Sequence, residues 1–325
     1  MSRAFTLAVL SDVHYFSDAE AARGRDYEIK SIPNPLLRYS LRVYRHYIWL
    51  RHPFEHSHLL DKFIERVGPV DRVIGNGDYS CDSAFVGVSD DAACESARNC
   101  LGKLRGKFGD KFLATIGDHE LGKYSLVGSL GGLRLASYHR ARGELALQPF
   151  WKVELGRYVL IGVTSSLIAL PVFEVEALPE ERPEWRQLRE QQLAEIQKSF
   201  AALKPDQRVL LFCHDPTALP FLWRDETVRS KLSQVEHTII GHLHSNLFLW
   251  QSRRLAGIPV IRFLGNGTRR MSSSLSEARL WKPFHVTLCP ALAGIELLKD
   301  GGFLKIKLDE DAEQPAQIEF QRLPR

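Results

Sequence analysis

Ionisable residues directly follow short apolar runs at five places in the sequence. The five segments are "SDVH" from Ser11, "GDYS" from Gly77, "GDHE" from Gly117, "HDP" from His214 and "GHLH" from Gly241. In layered α/β folds the carboxyl ends of the strands meet at one edge of the sheet, and ligands bind there. We therefore expect one rim to carry all of the candidate metal-binding side chains: Asp12, His14, Asp78, Asp118, His119, His214, His242 and His244.

These residue types indicate transition-metal chemistry. Asp and His together suit Mn, Fe, Zn or Co, whereas carboxylates and carbonyls alone would suit Mg or Ca. Alternate residues of an extended strand point to the same side, so both members of Asp12/His14 and of His242/His244 can reach one site. Two metal ions about 3.5–4 Å apart need a shared ligand, and the carboxylate of Asp78 can supply one oxygen to each. Such a pair activates a bridging water and holds a phosphoryl group.

Structural roles are the simpler interpretation for each of these residues taken singly. A lone Asp at a strand end, such as Asp12 or Asp78, is more often a turn former or helix cap than a ligand. A lone His214 is more often a hydrogen-bonded core residue. Together, however, the five segments place much charge at one buried rim, which is costly unless a cation lies there. The complete set therefore favours a metal site.

Strands and helices alternate along the chain in the way that such a rim requires. The β-rich runs are "FTLAVL" from Phe5, "RVIGN" from Arg72, "KFLATI" from Lys111, "RVLLFC" from Arg208 and "HTII" from His237. Helical patterns lie between them, including a long one from Pro183, so the alternation predicts a layered α/β core. Period-two patterns predict a hairpin that turns at Gly156, a strand from Ile258, and closing antiparallel strands at "GIELL", "FLKIKL" and "QIEFQRL".

Composition is that of an ordinary globular protein. The chain has 325 residues, of which 44% are hydrophobic and 25% charged, and no internal repeat divides it, so we expect a single domain over residues 1–325. The net charge of +4 gives little support for a nucleic-acid partner. Five cysteines without a CxxC pair favour a reducing cytoplasm. The apolar run near the N-terminus is too short for a signal peptide or for the roughly 20 residues of a membrane span.

The order of the motifs "DVH", "GD", "GDHE", "H" and "GHLH" resembles that of the calcineurin-like metallophosphoesterase family. The family pattern is D-x-H, G-D, G-N-H-[DE], H and G-H-x-H, and the match runs from Asp12 to His244. The resemblance implies a four-layer α/β/β/α sandwich of two mixed β-sheets flanked by helices. It also implies a hydrolase of phosphoester or pyrophosphate bonds that uses two divalent transition-metal ions, with Mn expected first and Fe, Zn or Co as alternatives.

The resemblance further assigns roles to individual residues. One metal ion would be held by Asp12, His14, Asp78 and His244, and the second by Asp78 as the bridge with Asp118, His214 and His242. A metal-bridging hydroxide would attack phosphorus in line, His119 would protonate the leaving oxygen, and Glu120 would orient the His119 ring. Asn is usual at position 118. The Asp found here keeps an oxygen ligand but adds a negative charge and removes an amide donor.

A basic, aromatic insert of about residues 20–60 separates the first two motifs. Its segment from Asn34, "NPLLRYSLRVYRHYIWLRHPFEHSH", places Leu37, Leu41, Tyr44 and Ile48 on one helical face beside a stripe of Arg38, Arg42 and Arg45. One interpretation is a helix docked on the domain; the other is an interfacial lid, with residues 34–58 in peripheral contact with the inner face of a membrane. The scattered histidines of this segment are expected at solvated positions. Arg269 and Arg270, after "GNGT", are candidates for binding phosphate.

Three functional hypotheses are favoured by the sequence, and a nucleotide phosphodiesterase or a nuclease stays open beside them with little support from the modest charge. The first is a dinuclear metal hydrolase acting on a phosphorylated small molecule or a lipid-linked substrate. The second, within the same chemistry, is a lipid-linked pyrophosphatase similar to UDP-2,3-diacylglucosamine hydrolase at a membrane surface. The third is a non-catalytic scaffold that keeps the fold, although a scaffold has no chemical need for His119 and Glu120 beside the metal ligands.

Overall fold

The computed structural model describes residues 4–24, 27–30, 32–81, 85–124 and 131–325. Within these residues the strands form two five-stranded sheets. The strands are β1 Ala4–Leu10, β2 Arg72–Asn76, β3 Phe112–Thr115, β4 Phe150–Leu155, β5 Tyr158–Val163, β6 Arg208–Cys213, β7 Val235–Ile240, β8 Val286–Leu288, β9 Gly302–Asp309 and β10 Gln317–Arg322.

Both sheets are mixed. The first has the order β10-β9-β1-β2-β3, in which β1, β2 and β3 are parallel and the last two strands of the chain are antiparallel additions at one edge. The second has the order β4-β5-β6-β7-β8, in which β5 to β8 are parallel and β4 pairs antiparallel with β5. The five motifs each follow a parallel strand, namely β1, β2, β3, β6 or β7. The carboxyl ends of these strands therefore determine where the motifs lie.

Helices cover the outer faces of the two sheets. The helices are α1 Asp18–Ala21, α2 Tyr27–Lys30, α3 Pro35–Tyr47, α4 His58–Arg66, α5 Asp91–Phe108, α6 Asp118–Leu121, α7 Leu135–Gly143, α8 Ser165–Ile168, α9 Leu170–Phe173, α10 Arg182–Ala201, α11 Leu219–Arg224, α12 Glu226–Ser230, α13 Asn246–Arg254 and α14 Asn266–Ser276. None of those in the described part of the chain combines the length and apolar character that a membrane-spanning helix requires.

Alternating side chains of the strands build the layers. Leu7 and Val9 of β1 share a buried core with Leu160 of β5 and Phe212 of β6, which lies between the two sheets. Intervening residues such as Ala8 belong to the core that includes the helices. This alternation follows from the period of two in a β-strand. The resulting order of layers, helices, sheet, sheet and helices, confirms the predicted four-layer α/β/β/α sandwich.

Most of the predicted elements are present. All five β-rich runs are strands (β1, β2, β3, β6 and β7), the hairpin turns at Gly156 between β4 and β5, and the segments "FLKIKL" and "QIEFQRL" are β9 and β10. The long helical pattern from Pro183 is α10. The described part of the predicted insert contains α2, α3 and the start of α4, joined by irregular segments and the 3₁₀ helix Pro53–Glu55.

The strand predicted from Ile258 is wrong. Residues 258–265 are irregular, and Phe263 is 85% exposed. The position beside β7 at the edge of the second sheet is occupied by β8, which begins at Val286. An apolar run forms a strand only where a neighbouring strand offers hydrogen bonds, and no strand in the described part of the chain pairs with this run.

The segment "GIELL" is a turn instead of the predicted strand. Its backbone N–H groups bond outside the sheets: Glu296 donates to the carbonyl oxygen of Trp49 at 2.8 Å, and Leu297 donates to that of Ile48 at 3.2 Å. The turn therefore holds the chain just after α3 against the domain.

Helix α3 begins and ends as its sequence dictates. The side chain of Asn34 accepts hydrogen bonds from the backbone N–H groups of Leu36 and Leu37, and Pro35 occupies the first turn. No residue of α3 is buried. The helix therefore lies on the surface of the domain, with one face toward the chamber described below.

Candidate metal centre

The motif residues converge at the carboxyl ends of five parallel strands, three from the first sheet and two from the second. Their ligating atoms form three overlapping groups, in each of which all atoms lie within 4.8 Å of one another. The first group is Asp12, His14 and His244, the second is Asp78, Asp118, His214 and His242, and the third is His14, Asp78 and His119. The structure thus brings together every metal-ligating residue that the sequence proposes, and Asp78 belongs to two of the groups.

Strained backbone presents these side chains. Five of the seven candidate ligands adopt the left-handed region, with φ of 50° at Asp12, 47° at His14, 58° at Asp78, 56° at His242 and 59° at His244. Such a conformation costs a non-glycine residue on the order of 1–3 kcal/mol and is typical of functional sites. Hydrogen bonds between neighbouring loops hold it in place, because the N–H of Asp12 donates to the carbonyl oxygen of Gly77 at 3.1 Å.

The first group contains nitrogen and oxygen atoms that face one another. Nδ1 of His14 lies 3.2 Å from the carbonyl oxygen of Ser80 and is expected to donate to it, which leaves a lone pair on Nε2. That Nε2 lies 3.3 Å from Nε2 of His244, which is itself 3.2 Å from Oδ1 of Asp12. Lone pairs arranged in this way need a proton or a cation between them.

The second group shows the same arrangement. Nδ1 of His214 bonds the carbonyl oxygen of Asn76 at 2.6 Å, so its Nε2 points at Oδ2 of Asp78, 3.1 Å away, and at Oδ1 of Asp118, 3.2 Å away. Nδ1 of His242 lies 3.1 Å from the same Oδ1. Oδ2 of Asp118 is buried and has no hydrogen-bond partner among the residues that the structure describes. A buried carboxylate oxygen without a partner fits a metal ligand, because leaving it unbound would be costly.

The electrostatics also indicate that the cluster requires positive charge. Burial alone would raise the pKa of Asp118, but His242 and Lys123 hold this pKa well below its usual range. Burial would lower the pKa of His214, whereas Asp78 and Asp12 hold it well above its usual value. The carboxylates thus favour positive charge at the His214 imidazole. A divalent cation would supply that charge and displace the proton, as metal binding to His and Asp generally does.

Glu120 has a different contact from the one that the family resemblance implies. Its carboxylate accepts hydrogen bonds from the backbone N–H groups of Gly117, Asp78 and Tyr79 at 2.9, 3.0 and 2.8 Å. Burial, followed by the charge of Asp78, raises the pKa of Glu120 to about 7. Glu120 therefore joins the loops after β2 and β3, and we correct its assignment from orienting the His119 ring to supporting the loops that carry the ligands.

The His119 ring is instead positioned by a backbone carbonyl. Its Nδ1 lies 3.1 Å from the carbonyl oxygen of Cys81, and its Nε2 lies 3.7 Å from Oδ2 of Asp78. The same Nε2 contacts Nζ of Lys123. With Nδ1 donating to the carbonyl, Nε2 is the nitrogen that can exchange a proton with a substrate.

Two functional candidates were missed by sequence reasoning. Asp215 places Oδ2 at 3.8 Å from Nε2 of His242, the ring nitrogen that does not face Asp118. This distance is longer than a hydrogen bond, so the carboxylate acts on His242 through its charge, which raises the pKa of that imidazole against the opposing effect of burial. The only sequence feature that could have pointed to Asp215 is its position in "HDP", directly after His214. Lys123 follows His119 by four residues, a spacing that carries no known motif.

The two arginines proposed to bind phosphate are placed differently. Arg270 lines a chamber next to the metal centre and lies 3.3 Å from the carboxylate of Glu176. Arg269 is exposed to solvent. Arg270 and Lys123 both line the chamber and are candidates for contact with a phosphoryl group.

No protein-family model and no curated protein matches the chain. Among solved structures it is similar to a purple acid phosphatase from yellow lupin seeds, with 10% identity and a TM-score of 0.44 over 99% of this chain and 52% of that chain. It is also similar to GAP50, the anchor in the inner membrane complex of Plasmodium, with 12% identity and a TM-score of 0.42 over 98% of this chain and 84% of that chain. A third is a 5'-nucleotidase precursor from Thermus thermophilus, with 14% identity and a TM-score of 0.39 over 99% of this chain and 55% of that chain.

The chain thus spans about half the length of the phosphatase and of the nucleotidase. Similarity at this level assigns no activity to this chain.

Proposed function

We propose that this protein is a metal-dependent hydrolase of phosphoester or pyrophosphate bonds, of the calcineurin-like metallophosphoesterase type. The observation that carries the proposal is the cluster at the five strand ends. It contains the carboxylates of Asp12, Asp78 and Asp118 and the imidazoles of His14, His119, His214, His242 and His244. The unpartnered Oδ2 of Asp118 and the facing histidine nitrogens fit cations better than a purely structural cluster.

Two divalent cations bound in this cluster would supply a nucleophilic oxygen and neutralise charge on the phosphoryl group. Asp12, His14 and His244 would hold one cation. Asp118, His214 and His242 would hold the other, and Asp78 would contact both. The mixture of Asp and His favours Mn, Fe, Zn or Co, with Mn expected first.

The remaining residues would handle the substrate and a proton. His119, fixed through Nδ1 to the carbonyl of Cys81, would give the proton on Nε2 to the leaving oxygen. Lys123 and Arg270 would bind phosphoryl oxygens through charge-assisted hydrogen bonds. Because Lys123 contacts Nε2 of His119, substrate binding would separate the two and draw Lys123 onto the phosphate.

Metal content and hydrolysis test this proposal together. The purified chain, loaded with Mn, is assayed on methyl p-nitrophenyl phosphate and p-nitrophenyl phosphate, and its bound metal is measured by mass spectrometry. Asp78→Asn should abolish hydrolysis and lower the metal content, whereas Asp311→Asn, which changes an exposed carboxylate, should alter neither. A parent chain that binds no transition metal and hydrolyses neither ester would favour the scaffold hypothesis.

We also propose that α3 contacts an anionic lipid surface. Its outward residues Leu36, Tyr39, Val43 and Tyr47 recur at helical spacing, and Leu36 is 76% exposed. Arg38 and Arg42 lie beside this stripe, in the arrangement of an interfacial helix. This support comes from the exposure of the stripe and the adjacent positive charge.

A further inference from the structure

A chamber of about 420 Å³ opens directly from the metal centre. Asp78, His242 and His244 line one end of it. This volume lies in the range of sites that bury a small organic ligand. The chamber is therefore large enough for much more of a substrate than its phosphoryl group.

Apolar side chains make up much of the lining of the chamber. Helix α3 and the residues after it contribute Leu41, Tyr44 and Trp49; α13 and α14 contribute Phe248, Met271 and Leu275; and Trp281 follows in the 3₁₀ helix Ala278–Phe284. The ring of Trp49 is 4.4 Å from that of His244 and 5.6 Å from that of Phe248, measured between centroids. The apolar wall therefore begins at the metal centre itself.

Charged side chains also line the chamber. Lys123 and Arg270 are the cations beside the metal centre, and Arg45 of α3 is the third that reaches the chamber. A small hydrophilic phosphoester would use these groups but would leave the wall of Leu41, Met271 and Leu275 in contact with water. Gln251, Ser252 and Ser274 are the uncharged polar side chains that α13 and α14 add to the lining, whereas Leu41, Met271 and Leu275 offer no hydrogen-bonding group. The lining thus matches a molecule with one anionic end and one flexible apolar end.

We infer that the substrate is an amphiphilic phosphoester, with its phosphoryl group at the metal centre and a flexible alkyl or acyl group along the chamber. The inference rests on the proposed function. Its apolar part lies against α3, α13 and α14, so that each buried methylene adds to binding. The same chemistry is found in a lipid phosphate and in a dispersed amphiphile, and the experiments below distinguish these two sources.

A chain-length series with a constant leaving group tests the inference. Methyl, butyl and octyl p-nitrophenyl phosphates are hydrolysed with Mn, water adding to phosphorus while the bond to p-nitrophenolate breaks. Because the leaving group is the same throughout, differences report binding of the alkyl group. We expect kcat/KM to rise with length, by up to about fourfold per buried methylene. Equal kcat/KM for all three esters would overturn the inference, whereas hydrolysis of none would overturn the proposed function.

Substitutions in the apolar wall test whether the increase of kcat/KM with chain length arises in the chamber. Leu41→Ser and Met271→Ser should lower kcat/KM for the octyl ester more than for the methyl ester, so that the ratio of the two falls. Met271 is 54% exposed, so its substitution should leave the fold intact. Phe263→Ser, which changes an exposed apolar residue outside the chamber, is the matched control and should leave the ratio unchanged. A ratio unaffected by both wall variants would contradict the assignment.

Binding without turnover gives an independent measurement. Methyl-, butyl- and octylphosphonate, which contain no hydrolysable ester, are titrated calorimetrically into the Mn-loaded chain. Affinity and the negative heat-capacity change should both grow with chain length, since apolar burial is marked by that sign. Length-independent affinity would overturn the inference.

Vesicles identify the source of the amphiphile. Phosphate release from phosphatidic acid in phosphatidylcholine vesicles would indicate a lipid substrate. Hydrolysis of the dispersed octyl ester without such release would indicate a soluble amphiphile. Either result would support the inference that the substrate is an amphiphilic phosphoester. Hydrolysis of the methyl ester alone, with neither long-chain substrate used, would contradict it.

Discussion

His119 presents a single nitrogen to the site because the carbonyl oxygen of Cys81 engages the other. Replacing His119 by Ala should leave the metal content unchanged and slow turnover of methyl phenyl phosphate by roughly 10²–10⁴-fold, the usual contribution of a general acid. The loss should be smaller for methyl p-nitrophenyl phosphate, whose leaving group needs less protonation. Paired kcat values for the two substrates, with metal analysis, check this expectation.

Lys123 provides the control for this measurement. It contacts His119 but would act on the phosphoryl group, so Lys123→Ala should slow both substrates by similar factors. Equal losses for the two substrates in the His119 variant would remove His119 from the acid role.

Asp118 is the residue that departs from the family pattern. Its Oδ1 faces both His214 and His242, and its second oxygen has no partner, so its negative charge should strengthen binding of the second cation. Asp118→Asn should weaken that binding by roughly 10–100-fold, the range found when a group that supports a metal site is lost. Turnover at saturating Mn should be preserved or improved. Calorimetric Mn titrations of the parent chain and of the variant measure the difference in affinity. Equal affinities for the second cation would mean that the negative charge of Asp118 does not contribute to its binding.

Helix α3 combines two surfaces at the scale of the element. Leu41 and Tyr44 face the chamber, while Leu36, Tyr39 and Tyr47 are exposed. The sequence placed Arg45 in the same basic stripe as Arg38 and Arg42, but the structure places it in the lining of the chamber. An experiment on the outer surface should therefore leave Arg45 unchanged.

The double substitution of Arg38 and Arg42 by Glu should weaken binding to anionic vesicles by tenfold or more, because each basic residue near such a surface contributes about 1 kcal/mol. Cosedimentation with phosphatidylserine-containing vesicles measures the effect, and hydrolysis of methyl p-nitrophenyl phosphate should stay unchanged. Phe320→Ser, at an exposed apolar position in β10, is the control. If the parent chain does not bind vesicles, α3 is only a docked helix that lines the chamber.

The metal centre should influence the stability of the whole molecule, because it joins loops from both sheets. A cation at about 100 times its dissociation constant stabilises the folded state by about 2.7 kcal/mol per site. For a domain of this size we expect Mn to raise Tm by about 5 °C or more, and a chelator to reverse the rise. Thermal unfolding followed by calorimetry measures the shift.

Two comparisons test whether the stabilisation comes from this centre. Ca²⁺ should raise Tm less than Mn, since His-rich sites disfavour it. Asp78→Asn should reduce the Mn effect, whereas Asp311→Asn should not. A shift of equal size for Ca²⁺, or for the Asp78 variant, would indicate binding elsewhere.

The sequence by itself predicted the layers and the residues that the structure brings together at the five strand ends. Periods of two and of 3.6 marked the strands and the long helix α10, and apolar runs that end in Asp or His marked the strand ends. Such signals are local, so they survive without knowledge of the fold. The two wrong strands, from Ile258 and in "GIELL", show the limit of this reasoning, because a strand also needs a neighbour with free hydrogen-bonding groups.

Only the tertiary structure decided how the centre is supported and what lies beside it. The left-handed backbone at Asp12 and Asp78, the contact of Glu120 with three backbone amides, and the position of Asp215 behind His242 depend on loops far apart in sequence. The chamber likewise needs α3, α13 and α14 to meet. A sequence records which side chains follow each strand, but contacts between distant loops form only when both sheets pack and their strand ends share one rim.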